Sequence, residues 1–392
     1  MPSDLDDIAL AALFATPPGT LYLNAASHGP RLRSVQAAAE TAVAAGIAPW
    51  RLGEEEWIAS IEHVRTLVAG FFDGDADAVA MVPSAGYGLS LAARNLPLSR
   101  DEAVLVLAGQ FPSNLLPWQQ RCAETGARMV HVQRGYEHSS HAHDWTNAVL
   151  AALDDDPGIR ILALPHAYWH DGTLLDLDRI AACAHARGAA LVLDLSQSLG
   201  ALPTAIERWR PAFVISVGHK WMLGSYGLAY LWASPHWREH GEPLEQTWFA
   251  REHDAAMASP LRPPRYRPGA RRFDAGGIAH AEKLAMAAAA LEQLHAWGIE
   301  NLRDALQART AAFDTVLREH GLDDWITPNH APHLLGLRPP AERLDAVAKA
   351  LTEAGAVFTR RHGQLRIAPH LQVTVAQMRE VGGVVVGSVQ QS

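Results

Sequence analysis

Residues 189–227 read AALVLDLSQSLGALPTAIERWRPAFVISVGHKWMLGSYG. Two runs in this stretch, AALVLDL (189–195) and AFVISV (212–217), are short and almost wholly apolar. A strand that is apolar on both faces belongs in a parallel sheet covered on both sides. The runs AVLVLA (103–108), RMVHV (128–132) and IRILALP (159–165) read the same way. Alanine-rich helical segments lie between them, such as IAACAHARG (180–188), which stops on Gly188. This alternation predicts an α/β fold whose large domain is built on a mainly parallel, doubly wound sheet.

Beyond the sheet the pattern changes. PLRPPRYRPGARR (260–272) is rich in proline and arginine and reads as a linker. Helices are expected near 279–296, 298–320, 341–354 and 374–381, and short strands near 333–337 and 364–368. Together they predict a smaller C-terminal α+β domain. The expected division is an N-terminal segment (1–30) that contributes to the site, a large domain (31–265) and a small domain (266–392).

Two polar residues stand out against the apolar strands. Asp194 ends one strand and Lys220 follows the next. In open α/β sheets, ligands bind at the carboxyl ends of the strands. Asp194 there fits a ribose-binding acid, a metal ligand or a partner for a ring nitrogen. A lysine among apolar residues and glycines has a lowered pKa and traps carbonyl groups as an amine. An aspartate and a lysine at one sheet edge are the two groups that pyridoxal phosphate (PLP) chemistry asks of a protein. The stretch VPSAGYGLSLAARNL (82–96) adds a turn of small residues, Ser84 to Tyr87, before an apolar helix. The backbone N–H groups of such a helix start suit a phosphate.

These segments resemble the fold-type I PLP-dependent enzymes of the aminotransferase class V group. That group includes cysteine desulfurases, selenocysteine lyases, kynureninases and isopenicillin N epimerase-like proteins. The resemblance covers about residues 20–385 and is most specific at DLSQSLG and GHKWMLGSYG. It implies that Lys220 is the catalytic residue, carrying PLP as an internal aldimine and later acting as base at the α-carbon. It implies that Asp194 pairs with the pyridine nitrogen and that Gln197 bonds the ring's phenolic oxygen. His219, Ser216, Ala85, Gly86 and Tyr87 are implied around the phosphate, and Phe111 of GQFPSNLLPWQ (109–119) as the ring that stacks on the cofactor. Arg366 in GQLRIAPH (363–370) is implied to hold the substrate carboxylate. Asn24, Ser27 and His28 of YLNAASHGP (22–30) and Tyr168 of PHAYWHDG (165–172) are implied beside the substrate. ARRFDAGG (270–277) matches a segment that reaches across a dimer, so a homodimer is implied.

The chain departs from the group at several points. Gly86 or Tyr87 stands where a hydroxyl is usual, Gly277 where a threonine is frequent, and Tyr168 where many members have asparagine. No cysteine falls in the C-terminal third, where the desulfurases carry their catalytic one. The resemblance therefore implies an α-carbanion enzyme acting on a small amino acid, an aminotransferase first. A β-lyase cleaving a C–S or C–C bond, or an epimerase, is the alternative, and a non-catalytic PLP-fold sensor the rival of another class.

The totals set outer limits. The chain has 392 residues and a net charge of −9, and so lacks the basic surplus of a nucleic-acid binder. No apolar run reaches the ~20 residues of a membrane helix. The N-terminus carries no basic-then-apolar signal, and two cysteines make no disulfide framework, so a cytoplasmic protein is expected. No G-x-G-x-x-G follows the first strand, against a dinucleotide oxidoreductase. The histidine run HSSHAH (138–143) lacks cysteine or carboxylate partners at ligand spacing, so no metal is expected.

Overall fold

A computed structural model describes residues 6–51, 53–134, 144–252 and 264–390. The histidine run 138–143, His253 and the first part of the proline-rich linker lie outside the described residues.

Seven strands form the central sheet: β1 (Val79–Val82), β2 (Ala103–Leu107), β3 (Arg128–Val132), β4 (Ile159–Pro165), β5 (Ala190–Asp194), β6 (Phe213–Val217) and β7 (Ala229–Ala233). Their spatial order is β1-β7-β6-β5-β4-β2-β3. All run in one direction except β7, which pairs antiparallel with both β1 and β6. The five strands expected from the apolar runs are present. The other two, β1 and β7, were not anticipated. β7 has no helix before it, because an antiparallel return needs only a loop, whereas a parallel one needs a crossover.

Each strand serves two cores. In β2, Ala103, Leu105 and Leu107 join one core while Val104 and Val106 join the other. In β5, Leu191 and Leu193 face the first and Val192 the second. This is the two-residue alternation of a strand, with apolar side chains on both faces. A third core is built from Leu335, Leu337, Leu365 and Ile367 with the helices Ile299–Glu319, Ala341–Glu353 and Val375–Gln390. The last helix was expected to end near 381. It runs on to Gln390, because burial of Val381 and Val385 in the third core overrides the low helix propensity of Gly382, Gly383 and Gly387.

The helix Ala281–Trp297 packs on the first core through Leu284, Leu291 and Trp297. The following helix spans two cores, with Leu302 and Leu306 in the first and Phe313 and Leu317 in the third. The three-stranded C-terminal sheet, β8 (Leu335–Leu337), β9 (Thr359–Arg361) and β10 (Gln364–Ile367), is thus anchored to the large sheet by a rigid rod.

A fully buried ion pair ties the chain beyond the linker to the large sheet. Arg65 Nη2 lies 2.7 Å from Asp274 Oδ2, and both side chains are excluded from solvent. Asp274 Oδ1 also accepts the Met81 backbone N–H of β1 at 2.9 Å, and Arg65 donates to the Val79 carbonyl at 2.6 Å. Removing one partner leaves a buried charge uncompensated. Asp274→Ala is therefore expected to destabilise the fold by roughly 3–5 kcal/mol, read as a lower urea midpoint. An unchanged midpoint would show that the pair contributes nothing net.

Candidate active site

A cavity of about 270 Å³ opens at the carboxyl edge of the central sheet, between that sheet and the hairpin of β9 and β10. Asp194, the last residue of β5, and Lys220, three residues past the end of β6, both reach it. These strands are parallel neighbours, so their ends meet at the same edge.

Lys220 sits on a tight loop, where Gly218 N–H donates to the Leu228 carbonyl and Gly224 N–H to that of Gly218. The N-terminal segment closes over it. Gly29 N–H donates to the His219 carbonyl at 2.8 Å. A β-carbon at position 29 would lie 2.1 Å from the Lys220 carbonyl oxygen, so only glycine allows this approach. The Lys220 Nζ lies 5.4 Å from the centre of the Phe111 ring. Burial pulls its amine down to about 8, Asp194 pulls the other way and Arg366 adds to the lowering. A lowered pKa means that the neutral, nucleophilic amine dominates above pH about 8. Labelling of Lys220 in the apoprotein by an acylating reagent is expected to rise with pH to half its maximum near 8, against ~10.4 for an ordinary lysine. A midpoint above 10 would remove the case for an activated amine.

The acid is fixed in turn. Asp194 is nearly buried, and its Oδ1 accepts the Ser196 N–H at 3.0 Å. Gln197 is pinned by three contacts. Its Nε2 donates to the Ala26 carbonyl at 2.9 Å, and its Oε1 accepts the Trp221 indole N–H at 3.0 Å. Its own carbonyl meets His333 Nε2 at 2.6 Å. The second hydrogen of the Gln197 amide is left for a ligand. His219 packs on His28 and Tyr226, with ring centres 4.9 and 4.5 Å away. Burial, with Lys220 and His28 adding to it, pushes its pKa down to about 3. It stays neutral at pH 7 and offers a hydrogen bond rather than a charge.

The helix Ala85–Asn95 starts at the cavity with Ser84 as its N-cap, whose Oγ accepts the Tyr87 N–H at 3.1 Å. The N–H groups of Ala85 and Gly86 precede the first intrahelical bond and remain available to an anion. Of the three helix-start residues expected around the phosphate, Ala85 lines the cavity and Gly86 and Tyr87 do not. The hydroxyl missing at those positions is supplied nearby. A β-carbon built on Gly86 would lie 3.8 Å from both Ser84 Oγ and Ser113 Oγ, and both serines line the cavity.

Arg366 projects from β10 and is almost fully buried. Its guanidinium donates to the Trp169 carbonyl at 3.0 Å, to Ser27 Oγ at 2.7 Å and to Asn24 Oδ1 at 3.1 Å. Its Nε is buried without a partner. Burial first, then the neighbouring Arg361, lowers its pKa to about 10, so it stays charged at pH 7.

The structure gathers Lys220, Asp194, Gln197, His219, Phe111, Ala85, Arg366, Ser27 and His28 on one cavity. It places five expected residues off the cavity wall, Gly86 in the first turn of the helix Ala85–Asn95 and four others. Asn24 stands behind the wall and orients Arg366. Ser216 is buried within β6, its hydroxyl directed to the Val217 carbonyl at 3.4 Å. Tyr168 is buried under the wall, its hydroxyl spent on the carbonyls of Ala108 and Gly109 at 2.9 and 3.1 Å. Tyr87 has its N–H taken by the Ser84 cap. The neighbour of Tyr168, Trp169, faces the cavity instead, edge-on to Phe111 at 5.3 Å. Ser113, Trp169, Tyr226 and Arg361 are wall residues that the sequence reading missed. Only Ser113 had a legible signal, as the hydroxyl of the FPSN run after Phe111.

These residues fit PLP. There is an acid for the ring nitrogen, a neutralisable amine, an amide with a free hydrogen, and a helix start with two hydroxyls. Among the described residues, no cluster of three histidine, cysteine or acidic side chains is placed to hold a metal. No described helix is long and apolar enough to cross a membrane.

Comparison with known proteins supports the fold and the cofactor. The family model for aminotransferase class-V matches residues 50–374. A protein of Bacillus subtilis named as the uncharacterized aminotransferase YcbU is 26% identical over 329 residues, 83% of each chain. The kynureninase of Deinococcus radiodurans is 28% identical over 95% of this chain and 83% of its own. Isopenicillin N epimerase of Streptomyces clavuligerus is 26% identical over 66% of this chain and 65% of its own. Among solved structures, a C-DES mutant with glycine covalently linked to the PLP cofactor superposes with a TM-score of 0.82 at 17% identity, covering 96% of this chain and 98% of that one. The cysteine desulfurase CsdA of Escherichia coli gives 0.80 at 17% identity, over 99% of both chains. At such identity these two likenesses speak for the fold.

Proposed function

We propose that this chain, which belongs to the aminotransferase class-V family, is a PLP-dependent enzyme that uses Lys220 to move a proton at the α-carbon of a small amino acid held by Arg366. The observation that carries the reading is the desolvated Lys220 amine, which shares one cavity with Asp194 and with a buried arginine whose Nε has no partner.

PLP, when bound, supplies an electron sink for negative charge developing at the substrate's α-carbon. Asp194 would keep the ring nitrogen protonated, and Gln197 would donate its free amide hydrogen to the phenolic oxygen. Ser84, Ser113 and the N–H groups of Ala85 and Gly86 would receive the phosphate. Arg366 orients the substrate by its carboxylate, using the planar fork that Asn24 and Ser27 hold in place. Lys220, neutral in a large fraction near pH 8, takes a proton from the α-carbon and returns it. Phe111 and Trp169 exclude water above it.

Our first reading of the outcome is transamination. A β-lyase is the second, favoured by the kynureninase among the relatives. The absence of cysteine beyond Cys183 disfavours the cysteine-assisted form of that chemistry. We also read the chain as a cytoplasmic homodimer, supported by its two free cysteines and by the match of ARRFDAGG to a segment that crosses between subunits. The division into a large domain ending near 265 and a small one after it belongs to the same reading.

The experiment is product analysis of the PLP-loaded enzyme against a panel of amino acids. A strict need for a keto-acid acceptor supports transamination. Pyruvate or alanine formed without an acceptor supports the lyase. A protein that takes up no PLP in a borohydride-reducible form on Lys220 overturns the reading altogether.

A further inference from the structure

β9 and β10 form a hairpin that turns through His362 and Gly363, with φ of 48° and 77°. This two-residue turn with both φ positive matches the twist of antiparallel strands. Its register sets Thr359 opposite Arg366 and Arg361 opposite Gln364. Alternation then places Thr359, Arg361, Gln364 and Arg366 on one face and Arg360 and Leu365 on the other. On the face turned away from the cavity, Arg360 pairs with Asp345 and Leu365 enters the third core.

Arg361 is different. It lines the cavity near Arg366, with its guanidinium 5.2 Å from the centre of the Trp169 ring. No ion pair joins Arg361 or Arg366 to a described carboxylate. Arg366 meets neutral oxygens only, those of Trp169, Asn24, Ser27 and Thr359. Asp194 is the only acid among the described wall residues, and it lies at the sheet edge beside Lys220. Two guanidinium groups therefore face one cavity with no protein anion between them. One substrate carboxylate on Arg366 leaves Arg361 uncompensated.

We propose that Arg361 binds a second anionic group, and that the preferred substrate is an amino acid with a carboxylate on its side chain. This rests on Arg366 being the site of the α-carboxylate. Arg361 fixes specificity at the far end of the substrate and makes no contact with the bond that reacts. Its cation–π contact with Trp169 positions the guanidinium beside the cavity, within reach of a carboxylate there.

The test uses the PLP-loaded enzyme with two unreactive probes, succinate and butyrate, whose binding is measured by calorimetry. One charge-assisted contact corresponds to about a tenfold change in affinity. Succinate is expected to bind at least about tenfold more tightly than butyrate. Arg361→Gln, on an exposed hairpin tip, is expected to erase that difference by weakening succinate alone, and Arg361→Lys to restore part of it. Equal affinity of the two probes for the unaltered enzyme would overturn the proposal. So would equal weakening of both probes in Arg361→Gln, which would mean that the arginines share one carboxylate. Arg366→Gln separates the two levels. If it weakens both probes while the enzyme prefers neither, only the second-anion proposal fails. If it weakens neither, the underlying carboxylate site fails as well.

Discussion

Changing Lys220 to alanine is expected to lower turnover by roughly 10³–10⁴-fold or more, the scale of losing a positioned base and nucleophile, while the protein stays folded. The side chain ends in the cavity and not in a core, so its removal leaves packing intact. The loop that carries it is held by backbone bonds to Gly218, Leu228 and Gly29, none of which involves the amine. The cofactor cradle also survives, because Asp194, Gln197 and Ser84 are fixed by contacts that do not involve the amine. The expected signature is an enzyme that still binds PLP, now without a covalent link, and turns over almost nothing. Partial rescue by a small added amine would assign the loss to proton transfer. Full activity in the variant would remove Lys220 from the mechanism.

Arg366→Ala is expected to raise KM by roughly 30-fold to 1,000-fold, the range for truncating one partner of a buried, hydrogen-bonded charge pair. The magnitude follows from burial. The guanidinium is already desolvated and pre-oriented by Asn24, Ser27, Thr359 and the Trp169 carbonyl, so the substrate carboxylate meets a site that needs little rearrangement. Arg366→Lys is expected to recover only part, since an ammonium cannot fork to two oxygens. Steady-state kinetics across a substrate series would decide. A KM unchanged by either substitution would mean that the carboxylate binds elsewhere.

The legible part of this site is the part that strands make. A near-continuous apolar run declares a doubly covered strand, and the first charged residue after it must lie at the sheet edge. Asp194 and Lys220 were visible for that reason. The illegible part is set by turns and register. Tyr168 and Trp169 differ by one position in a turn, and nothing in PHAYWHDG says which ring faces inward. The structure turns Tyr168 under the wall, where its hydroxyl satisfies two carbonyls, and turns Trp169 to the cavity. Arg360 and Arg361 pose the same problem on a strand. A slip of one residue would exchange them, and the choice is made by the turn at His362–Gly363. Ser113 supplies a hydroxyl that a reading of the helix start alone could not place, because it comes from the next strand's loop.

The bond from Gly29 to the carbonyl of His219 joins residues about half the chain apart in sequence, and the bridge between Asn24 and Ala368 joins residues separated by most of its length. A ribosome releases residue 29 long before residue 219, and both long before 366. The strands of the large sheet lie between residues 79 and 233, whereas the first core draws in Phe14 from one side of them and Leu371 from the other. The lid over the lysine loop and the arginine that receives the substrate arrive with the last strands. Contacts of such separation close slowly. A cavity able to hold cofactor and substrate together therefore exists only once the segments around residues 29, 219 and 366 have met.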